Sequence, residues 1–442
     1  MIEIAELSKI LKESGVVGAG GAGFPTYGKL SEKADVILMN CAECEPLLKL
    51  HRQLLKEHVR KILKAFALIN ETVHAKEAII GIKEEYESTI AAVEEYLGEF
   101  PGMRIHKLPG AYPMGDEVVL IYEATGRVVR PGGIPIECGV AVFNVETLFN
   151  VYRAVWEKHP VTDKCVTVVG EVEHPVTVRV PIGTSIRDVV ACAGKITAEK
   201  PVYLLGGPMM GIFGTGQMAV TKTTNAILVL PENHPLVLQK RQRFPVSVAR
   251  AASICCQCQA CTDLCPRHEL GHPITPHLFM RAAANRDFQS AEPFVNTLFC
   301  SSCGVCETYS CPQGLMPRSM MAEYKAGLRK NGVKPPVVEA APVSPAREYR
   351  RVPEERLRAR LGLDMYEKEA PLEDQVKTAT EVQILLAQHI GVPAKAVVKT
   401  GQRVSAGEIV GEAKEGLSVN IHASVSGVVR EVTDSYIMIK AE

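Results

Sequence analysis

Two cysteine-rich segments constrain the fold of this chain more than any other feature of its sequence. The first reads CCQCQACTDLCP over residues 255–266, and the second reads CSSCGVCETYSCP over residues 300–312. Each run places three cysteines two residues apart, then a fourth cysteine followed at once by a proline. Cysteines at this spacing bind cubane [4Fe–4S] clusters. The sequence therefore predicts a dicluster domain over residues 240–330.

The fourth cysteine of each run is expected to cross over to the other cluster, as it does in two-cluster ferredoxins. The eight predicted ligands fall into two sets: Cys255, Cys258, Cys261 and Cys311, and Cys300, Cys303, Cys306 and Cys265. The second run has one extra residue before its last cysteine. The neighbouring Cys256 is predicted to be a buried bystander.

Two other uses of these cysteines fit less well. Zinc sites use paired C-x2-C knuckles with a longer gap between the pairs. A disulfide framework is typical of small secreted domains, whereas this chain has 442 residues and its first residues lack the apolar stretch of a signal peptide. The 14 cysteines therefore predict a reducing, cytoplasmic compartment.

Charge and hydropathy exclude further classes. The chain has 50 basic and 50 acidic residues, so its balance favours neither nucleic acid nor an anionic membrane surface as a partner. No apolar run approaches the ~20 residues of a membrane span. The N-terminal segment spaces its apolar residues as a helix does. It is predicted to dock on its own domain, with an amphipathic targeting helix as the alternative.

A glycine-rich loop, SGVVGAGGAGFPTYGKL, occupies residues 14–30. Glycines let backbone N–H groups approach a phosphate or a flat ring. This is not the dinucleotide fingerprint, because no predicted strand precedes the loop. Strands at 35–41, 78–82 and 103–107 alternate with helices at about 47–68 and 84–97. This pattern predicts a doubly wound α/β domain over residues 1–160, with ligands at the carboxyl ends of its strands.

Two more polar clusters belong to this domain. GAYPMGDEVVLIYEATGR (110–127) places polar residues just before an apolar helix, and NVET (144–147) lies at a strand-to-helix junction. Taken alone, Asn144 could be a cofactor contact or a simple helix N-cap.

Together, GAGGAGFPT, NCAECEP, AYPMGDE and NVET resemble, in this order, the FMN- and NADH-binding motifs of the flavoprotein subunit of respiratory complex I. The chain resembles the C subunit of Rnf electron-transport complexes more closely. Through the run TDLCPR…LGHPITPH (262–277), it resembles the corrin reductases of propanediol-utilisation microcompartments most of all. The resemblance extends over nearly the whole chain.

The resemblance implies an FMN site and an adjoining NADH site. FMN is expected to contact Gly18, Gly20, Gly21, Gly23, Lys29, Asn40, Glu43, Tyr112, Gly115, Asp116, Glu117, Asn144 and Thr147. NADH is expected to lie against Phe24 and Glu45, with Glu45 on a ribose hydroxyl. Glu45 and Glu117 are the expected catalytic residues.

The chain departs from complex I at two of these positions. Ala19 stands where that family has arginine, which puts the strength of phosphate or dinucleotide binding in question, and Asp116 stands where it has glutamate. Cys41 and Cys44 form a C-x2-C on the same loop. They are interpreted as two packed cysteines, with a redox thiol pair as the alternative.

Three segments complete the expected multidomain fold. Residues 163–235 contain a β-hairpin and resemble an SLBB (soluble-ligand-binding β-grasp) domain, interpreted as a scaffold, with cobalamin binding as the alternative. Residues 333–380 are Pro/Ala-rich and then charged, which predicts a linker with one short helix. Residues 381–442 resemble an all-β barrel-sandwich hybrid of the biotinyl/lipoyl type, without a lysine at the hairpin tip. In the Rnf C subunit the related unit comes first.

The resemblance implies an oxidoreductase that passes electrons from NADH through FMN and two [4Fe–4S] clusters to cobalamin or a cobalamin-bearing protein. It also implies a location inside a bacterial microcompartment or at its shell, with a shell protein as a partner. One alternative is the NADH-oxidising subunit of a membrane Rnf complex, in contact with other Rnf subunits and with no membrane span of its own. Another is a non-enzymatic electron carrier that has lost NADH binding, which Ala19 keeps open.

Overall fold

The computed structural model describes residues 2–442, and an α/β domain forms the N-terminal part. The strands of this domain are β1 (Val36–Cys41), β2 (Glu77–Lys83), β3 (Met103–Leu108), the short β4 (Ala111–Tyr112) and β5 (Val140–Asn144). Its helices are α1 (Ile4–Glu13), α2 (Leu50–Glu57), α3 (Val59–Val73), α4 (Glu87–Leu97), α5 (Glu117–Thr125) and α6 (Val145–Trp156). Four strands form one parallel sheet in the order β3-β2-β1-β5.

Strand β1 is apolar on both faces because helices cover both sides of the sheet. Ile37 and Met39 pack into the core formed with α2, α3 and α6. Val36 and Leu38 point the other way, into the core formed with α5. The continuous run VILMN is therefore a central strand, which agrees with the α/β architecture expected from the sequence.

The single helix expected at about 47–68 is two helices, α2 and α3, separated at His58. His58 has a φ of −123°, outside the helical region. Its ring stacks on Phe149 with centroids 4.5 Å apart, and its Nε2 lies 2.8 Å from Asp374 Oδ2. These side-chain contacts accompany the interruption, which apolar spacing alone does not reveal.

A mixed sheet forms the middle domain. Its strands are β6 (Asp163–Gly170), β7 (Val176–Pro181), β8 (Pro201–Leu205), β9 (Ile212–Gly214) and β10 (Ala226–Pro231), and its helices are α7 (Ile186–Ala191) and α8 (Pro235–Lys240). β6 and β7 form the expected antiparallel hairpin. The sheet order β7-β6-β10-β8-β9 leaves β9 at one edge.

The cysteine-rich module is helical. Its helices are α9 (Phe244–Ile254), α10 (Ala260–Asp263), α11 (Pro266–Glu269), α12 (Pro276–Asn285), α13 (Glu292–Val295), α14 (Val305–Thr308) and α15 (Pro317–Lys330). Phe279, Phe294 and Tyr324 pack edge-on or tilted against one another at its centre. Pro266 and Pro317 each occupy the first position of a helix, where a missing N–H has no cost.

Residues 333–380, which we call the strap, are more ordered than the expected linker. They contain β11 (Val352–Pro353), α16 (Glu354–Arg360) and β12 (Leu372–Val376). β11 pairs with β4 of the N-terminal domain, and β12 adds a parallel strand beside β7. The strap is ordered because its apolar side chains are buried. Leu357, Leu363 and Tyr366 pack into the core of the middle domain.

Two small sheets form the C-terminal domain. Its strands are β13 (Glu381–Leu385), β14 (Lys395–Ala396), β15 (Arg403–Val404), β16 (Ile409–Glu412), β17 (Ile421–His422), β18 (Gly427–Val432) and β19 (Tyr436–Ala441). They pair in the orders β13-β19-β18-β15 and β14-β16-β17. The loop 413–420 between β16 and β17 carries an exposed lysine, Lys414. Lys414 lies near the end of β16 and not at the middle of this loop, and the absence of a lysine at the hairpin tip stays a prediction.

We expect the strap to contribute to stability through its buried leucines. Replacing Leu357, which is fully buried, with alanine should lower the free energy of unfolding by about 2–5 kcal/mol. Urea unfolding followed by circular dichroism measures the loss. Leu238→Ala is the control, because Leu238 is 58% exposed, and it should cost about 0.5 kcal/mol or less. Equal losses in the two variants would contradict the docked strap.

Candidate functional site

Two asparagines mark the carboxyl-terminal edge of the parallel sheet. Asn40 near the end of β1 and Asn144 at the end of β5 are partners in strand register. The Asn40 amide donates to Gly115 O at 3.0 Å, and its Oδ1 accepts from Ala42 N. The Asn144 Oδ1 accepts from Glu146 N at 2.9 Å, so Asn144 is the N-cap of α6. The N-cap role and a place in the site are therefore compatible.

The glycine-rich loop lies over this edge. Its two ends are joined, since Gly18 N donates to Phe24 O at 2.9 Å. Ala19 N donates to Thr147 Oγ1 at 2.9 Å, which ties the loop to the first turn of α6. Ala19 itself is buried. Thr147 of the NVET motif thus holds the glycine-rich loop in place through this hydrogen bond.

The tip of the loop approaches Asn144 closely and is otherwise open. A Cβ on Gly20 would lie 2.4 Å from Asn144 Nδ2, so this position requires glycine. Gly20, Gly21 and Ala22 are exposed. Within residues 2–442 their backbone N–H groups have no protein acceptor. Free N–H groups on a glycine loop fit an anionic group such as a flavin phosphate.

Glu43 follows β1, and its expected contact with the flavin stays a prediction. It is buried, and its carboxylate accepts from His51 N at 2.8 Å at the start of α2. Burial raises the pKa of this carboxyl, and the nearby Arg52 opposes the rise. His51, which the sequence reasoning missed, lies with its ring 3.2 Å from Asn144 Nδ2. Burial lowers the pKa of His51 to about 4, so its ring is neutral.

Phe24 and Lys29 belong to the second half of the same loop, and Glu117 lies close enough to Lys29 to affect its charge. Lys29 Nζ donates to Val142 O of β5 at 2.8 Å, and burial lowers its pKa, with the Glu117 charge opposing. Glu117 is exposed at the start of α5. The Phe24 ring covers Gly28, where a Cβ would lie 2.9 Å from the ring.

The AYPMGDE segment joins the N-terminal domain to the cysteine-rich module. The Tyr112 hydroxyl donates to Cys303 O at 2.6 Å. Asp116 caps α5 and also accepts from Arg267 Nη2 at 2.8 Å on both carboxylate oxygens. Arg267 follows Cys265 by two residues and was not predicted as a site residue. The spacing of the cysteines gives no signal for it.

Glu45 reaches across to the middle domain. Its carboxylate accepts from Met209 N and Met210 N, each at 2.7 Å. Burial raises the pKa of Glu45 to about 7, although these two N–H groups oppose the rise. Gly207 has a φ of +118°, and a Cβ there would lie 2.6 Å from Glu45 Oε2. The glycine turn of the middle domain is thus fitted around this carboxylate.

Cys41 and Cys44 are two packed cysteines in this structure. Cys41 is fully buried in the core, and burial raises its pKa well above the usual range. Cys44 Sγ accepts from Gly115 N at 2.7 Å, and burial raises its pKa to about 12. Both side chains are therefore neutral thiols near pH 7.

The eight predicted cluster ligands line two cavities in two sets of four. Cys255, Cys258, Cys261 and Cys311 line the first, which we call the distal cavity. Cys265, Cys300, Cys303 and Cys306 line the second, the proximal cavity. The structure thus brings the fourth cysteine of each run to the other run's cavity.

The two runs fold alike around their cavities. Gln257 and Gln259 have positive φ, and so do Ser302 and Gly304 at the matching places in the second run. Left-handed residues between helices turn successive N–H groups toward one side and form an anion-binding nest. Ser302 N donates to Cys300 Sγ at 3.3 Å in this way. Such loops suit a cluster whose thiolates make it an anion.

The thiols in each cavity raise one another's pKa. Burial raises the pKa of Cys261 to about 12, and Cys311, Cys258 and Cys255 contribute to the rise. Burial raises the pKa of Cys265 to about 12 as well, with Cys300 contributing. Four thiolates in one cavity therefore need compensating positive charge, which bound iron provides.

A single metal ion fits these cavities poorly. Within residues 2–442, no three His, Cys, Asp or Glu side chains are placed to hold one ion. A cubane holds its thiolates farther apart than one tetrahedral zinc ion does. The arrangement therefore favours a cluster over the zinc alternative.

The two cavities differ in exposure. Cys265 and Cys306 of the proximal cavity are buried, whereas Cys258 of the distal cavity is exposed. Cys256 is exposed too and lines the distal cavity, so the prediction that it is buried is wrong.

Four family models match the chain. They are the Nuo51 FMN-binding domain over residues 11–153, the SLBB domain over residues 165–213, the 4Fe-4S dicluster domain over residues 254–316 and the RnfC barrel sandwich hybrid domain over residues 365–442. Their order and types confirm the fold class expected from the sequence. The chain thus contains an FMN-binding domain and an iron–sulfur domain.

Curated relatives match over most of the chain. Cobalamin reductase PduS of Salmonella typhimurium is 42% identical over 98% of this chain and 96% of that protein. Cobalamin reductase PduS of Citrobacter freundii is 39% identical over 97% of this chain and 95% of that protein. The C subunit of the ion-translocating oxidoreductase complex of Erwinia tasmaniensis is 33% identical over 60% of this chain and 32% of that protein. The chain therefore belongs to the family of the PduS cobalamin reductases.

Proposed function

We propose that this chain oxidises NADH and passes the electrons through FMN and two [4Fe–4S] clusters to cobalamin. The family assignment supports the acceptor, since the relatives that match both ends of the chain are named cobalamin reductases. The FMN-binding and dicluster domains support the route. When bound, FMN takes two electrons from a hydride donor and releases them singly, as clusters require.

One observation carries this proposal. The FMN-type domain and the proximal cavity are in direct contact through Tyr112 and Cys303, and through Asp116 and Arg267. The distal cavity lies in the same helical module and faces solvent at Cys258. This geometry supports an order of electron flow from the flavin to the proximal cluster, then to the distal cluster.

The residues around the glycine loop have distinct parts in this proposal. The free N–H groups of Gly20, Gly21 and Ala22 would hold the flavin phosphate, while Thr147 fixes the loop. Because Ala19 is buried and hydrogen-bonded to Thr147, the loop is held without the arginine of complex I.

The two proposed catalytic glutamates differ in exposure and in the hydrogen bonds that they already accept. Glu117 is exposed and lies beside the loop through its charge interaction with Lys29. Glu45 already accepts hydrogen bonds from two backbone N–H groups. To bond to a ribose hydroxyl as well, its carboxylate would either accept a third hydrogen bond or give up one of the two. Phe24, part-exposed over Gly28, would offer a face to an aromatic ring of NADH.

The resemblance to corrin reductases also leads us to propose a microcompartment as the site of action and a shell protein as a partner. None of the helices in residues 2–442 has the length and apolar character needed to cross a bilayer. Co-purification with shell proteins, compared with co-purification with Rnf subunits, would separate the two assemblies.

The holoenzyme, reconstituted with iron and FMN, gives the direct test. We expect NADH to bleach both the flavin and the cluster absorbance under anaerobic conditions within seconds. If dithionite bleached the clusters and NADH did not, the chain would be an electron carrier without dehydrogenase activity.

Substitution of Glu45 tests the dinucleotide site. Glu45→Gln should slow NADH-driven bleaching roughly tenfold, the effect of losing ~1.4 kcal/mol from a charged hydrogen bond. Stopped-flow absorbance gives the rate, and bleaching by dithionite should not change. Glu84→Gln is the control, since Glu84 is exposed elsewhere on the domain. An unchanged rate in Glu45→Gln would remove Glu45 from the site.

The loop anchor gives a prediction for FMN. Thr147→Val keeps the side-chain shape and removes the acceptor for Ala19 N. The cost of about 1 kcal/mol should weaken FMN binding roughly fivefold, as measured by quenching of flavin fluorescence. Thr72→Val, which removes a hydrogen bond within α3, should leave FMN affinity unchanged. Equal effects would argue for a general loss of stability instead.

Iron content tests the ligand sets, with two neighbouring cysteines as a matched pair. Cys258→Ala should lower the iron of the reconstituted chain from about eight to about four atoms, because one cubane loses a ligand. Cys256→Ala should keep about eight, although Cys256 is equally exposed and lines the same cavity. If Cys256→Ala lost iron and Cys258→Ala did not, Cys256 would be the ligand and Cys258 would not.

A further inference from the structure

Three arginines border the segment 311–313, which begins with the distal ligand Cys311, and we call them the basic rim. They are Arg250 of α9 and Arg356 and Arg360 of α16. The Arg250 guanidinium donates to Gln313 O at 3.3 Å, and Gln313 lines the distal cavity. One arginine of the basic rim is therefore attached to the wall of that cavity.

Pro312 connects the other two arginines to the same cavity. Arg356 and Arg360 are exposed, and they line an open groove together with Tyr309, Ser310 and Pro312. Because Pro312 lines the distal cavity as well, the groove and the cavity share a wall. Residues four apart in a helix lie on the same face, so both guanidiniums belong to one surface.

The positive charge of the basic rim is not compensated within the chain. The second hydrogen bond of Arg250 goes to Gln242 Oε1 at 2.7 Å, which is an uncharged oxygen. Within residues 2–442, no carboxylate forms an ion pair with any of the three arginines. Glu355 precedes Arg356 in α16, but it does not line the groove. Arginine is always protonated in proteins, so all three side chains carry full charge.

Two neighbouring arginines show the contrast, because each has a carboxylate partner. Arg358 lies in the same helix as Arg356, and its Nε is 2.8 Å from Asp364 Oδ1. Arg350 of the strap pairs with Glu269 at 2.7 Å. Arg356 and Arg360 are left free to pair with carboxylates of another molecule.

Electrons can leave the chain more readily beside the basic rim than at the proximal cavity. Among the eight predicted ligands, Cys258 of the distal cavity is exposed and the others are buried or part-buried. The proximal cavity lies against the N-terminal domain, to which Cys303 is joined by the Tyr112 hydrogen bond. Since electron transfer weakens steeply with distance, an acceptor gains most by docking next to the distal cavity.

The charge of this surface determines which kind of acceptor fits it. A cluster held by four thiolates is an anion, so it repels an acidic partner unless positive charge lies nearby. The basic rim supplies that charge. Complementary charges raise the rate at which two proteins meet and fix their relative orientation. A protein whose redox centre is surrounded by Asp and Glu side chains therefore fits here, and a basic protein does not.

We propose that the basic rim is the docking site for an acidic redox protein that receives electrons from the distal cluster. The inference rests on the proposed function for the source of the electrons, and it adds the chemistry of the partner. One electron passes from the reduced distal cluster to a one-electron centre of the partner. The cluster is oxidised as that centre is reduced, and no proton or covalent bond is exchanged.

Two haem proteins of opposite charge serve as probes of the docking site. Cytochrome b5 has carboxylates around its haem edge, cytochrome c has lysines there, and each accepts one electron. The reconstituted holoenzyme is reduced with dithionite, freed of excess reductant and mixed with either oxidised cytochrome in a stopped-flow spectrometer. The rate constant with cytochrome b5 should fall about tenfold from low to high salt, whereas the rate constant with cytochrome c should not fall.

Charge reversal tests the two exposed arginines. Arg356→Glu combined with Arg360→Glu should slow the reaction with cytochrome b5 about tenfold or more and speed the reaction with cytochrome c. A changed cluster potential would instead alter both rates in the same direction. The neutral pair Arg356→Gln and Arg360→Gln should give an intermediate effect. An iron content equal to that of the unmodified chain shows that each variant is folded and loaded.

A matched pair of arginines in other domains provides the control. Arg187 of α7 and Arg430 of β18 are exposed, and reversing both makes the same change in net charge. Arg187→Glu combined with Arg430→Glu should alter either rate less than about threefold. Equal rates with cytochrome b5 in the two double variants would overturn the inference, and so would equal slowing with both cytochromes.

These outcomes are separate from the test of the proposed function, because dithionite replaces NADH as the reductant. If NADH fails to bleach the unmodified holoenzyme while charge reversal acts as expected, the proposed function fails and the docking site stands. If NADH bleaches the holoenzyme and charge reversal has no effect, the proposed function stands and the docking site is wrong.

Discussion

The requirement that four thiolates surround one cluster governs the architecture of the cysteine-rich module. A run of C-x2-C-x2-C covers one face of a cubane, and the fourth ligand must come from elsewhere. Because Cys265 lies in the proximal cavity and Cys311 in the distal one, the two runs have to cross. The crossing holds α10 against α14. The module has a small apolar core, so bound clusters would supply part of its folding energy.

The orientation of the flavin-type domain relative to this module depends on polar groups that find their partners across the boundary. Asp116 and Arg267 form a largely buried ion pair, and moving the domains apart would leave each charge without its partner. Such a pair adds little net stability compared with apolar packing, but breaking it is costly. Tyr112 and Glu45 act similarly, since each bonds to a backbone group of another domain. The contacts therefore fix the flavin-type domain against the proximal cavity.

The sequence predicted features that depend on the spacing of residues within a short segment. It did not predict features, such as the exposure of a side chain, that depend on contacts between distant segments. The cysteine sets and the parallel sheet follow from local patterns, because ligand spacing and apolar runs are written in short segments. The capping role of Glu43 and the exposure of Cys256 depend on how segments pack. The strap illustrates the same limit, since its Pro/Ala-rich start resembles a linker while Leu357 and Tyr366 are buried farther along.

The C-terminal domain contacts the glycine-rich loop, so the position of the loop depends on residues far away in the sequence. Gly23 packs against His389 and Thr223, where a Cβ would lie 3.0 Å from each. The Tyr27 hydroxyl donates to Ser418 O and accepts from Ser418 N, both at 3.2 Å. Three domains therefore meet behind the loop, although Tyr27 and its partner Ser418 are 391 positions apart in the sequence.

Lys222 lies at the centre of this junction. Its ammonium is buried and donates to Gly15 O at 2.6 Å and to Asn420 O at 3.3 Å, one carbonyl in each of two other domains. Burial lowers the pKa of Lys222 to about 7, so the site tolerates the neutral amine while keeping both hydrogen bonds. An apolar side chain would leave both carbonyl oxygens without this donor. A fragment limited to the N-terminal domain would lose this support, and only contacts within that domain, such as the hydrogen bond from Ala19 N to Thr147 Oγ1, would still hold the loop.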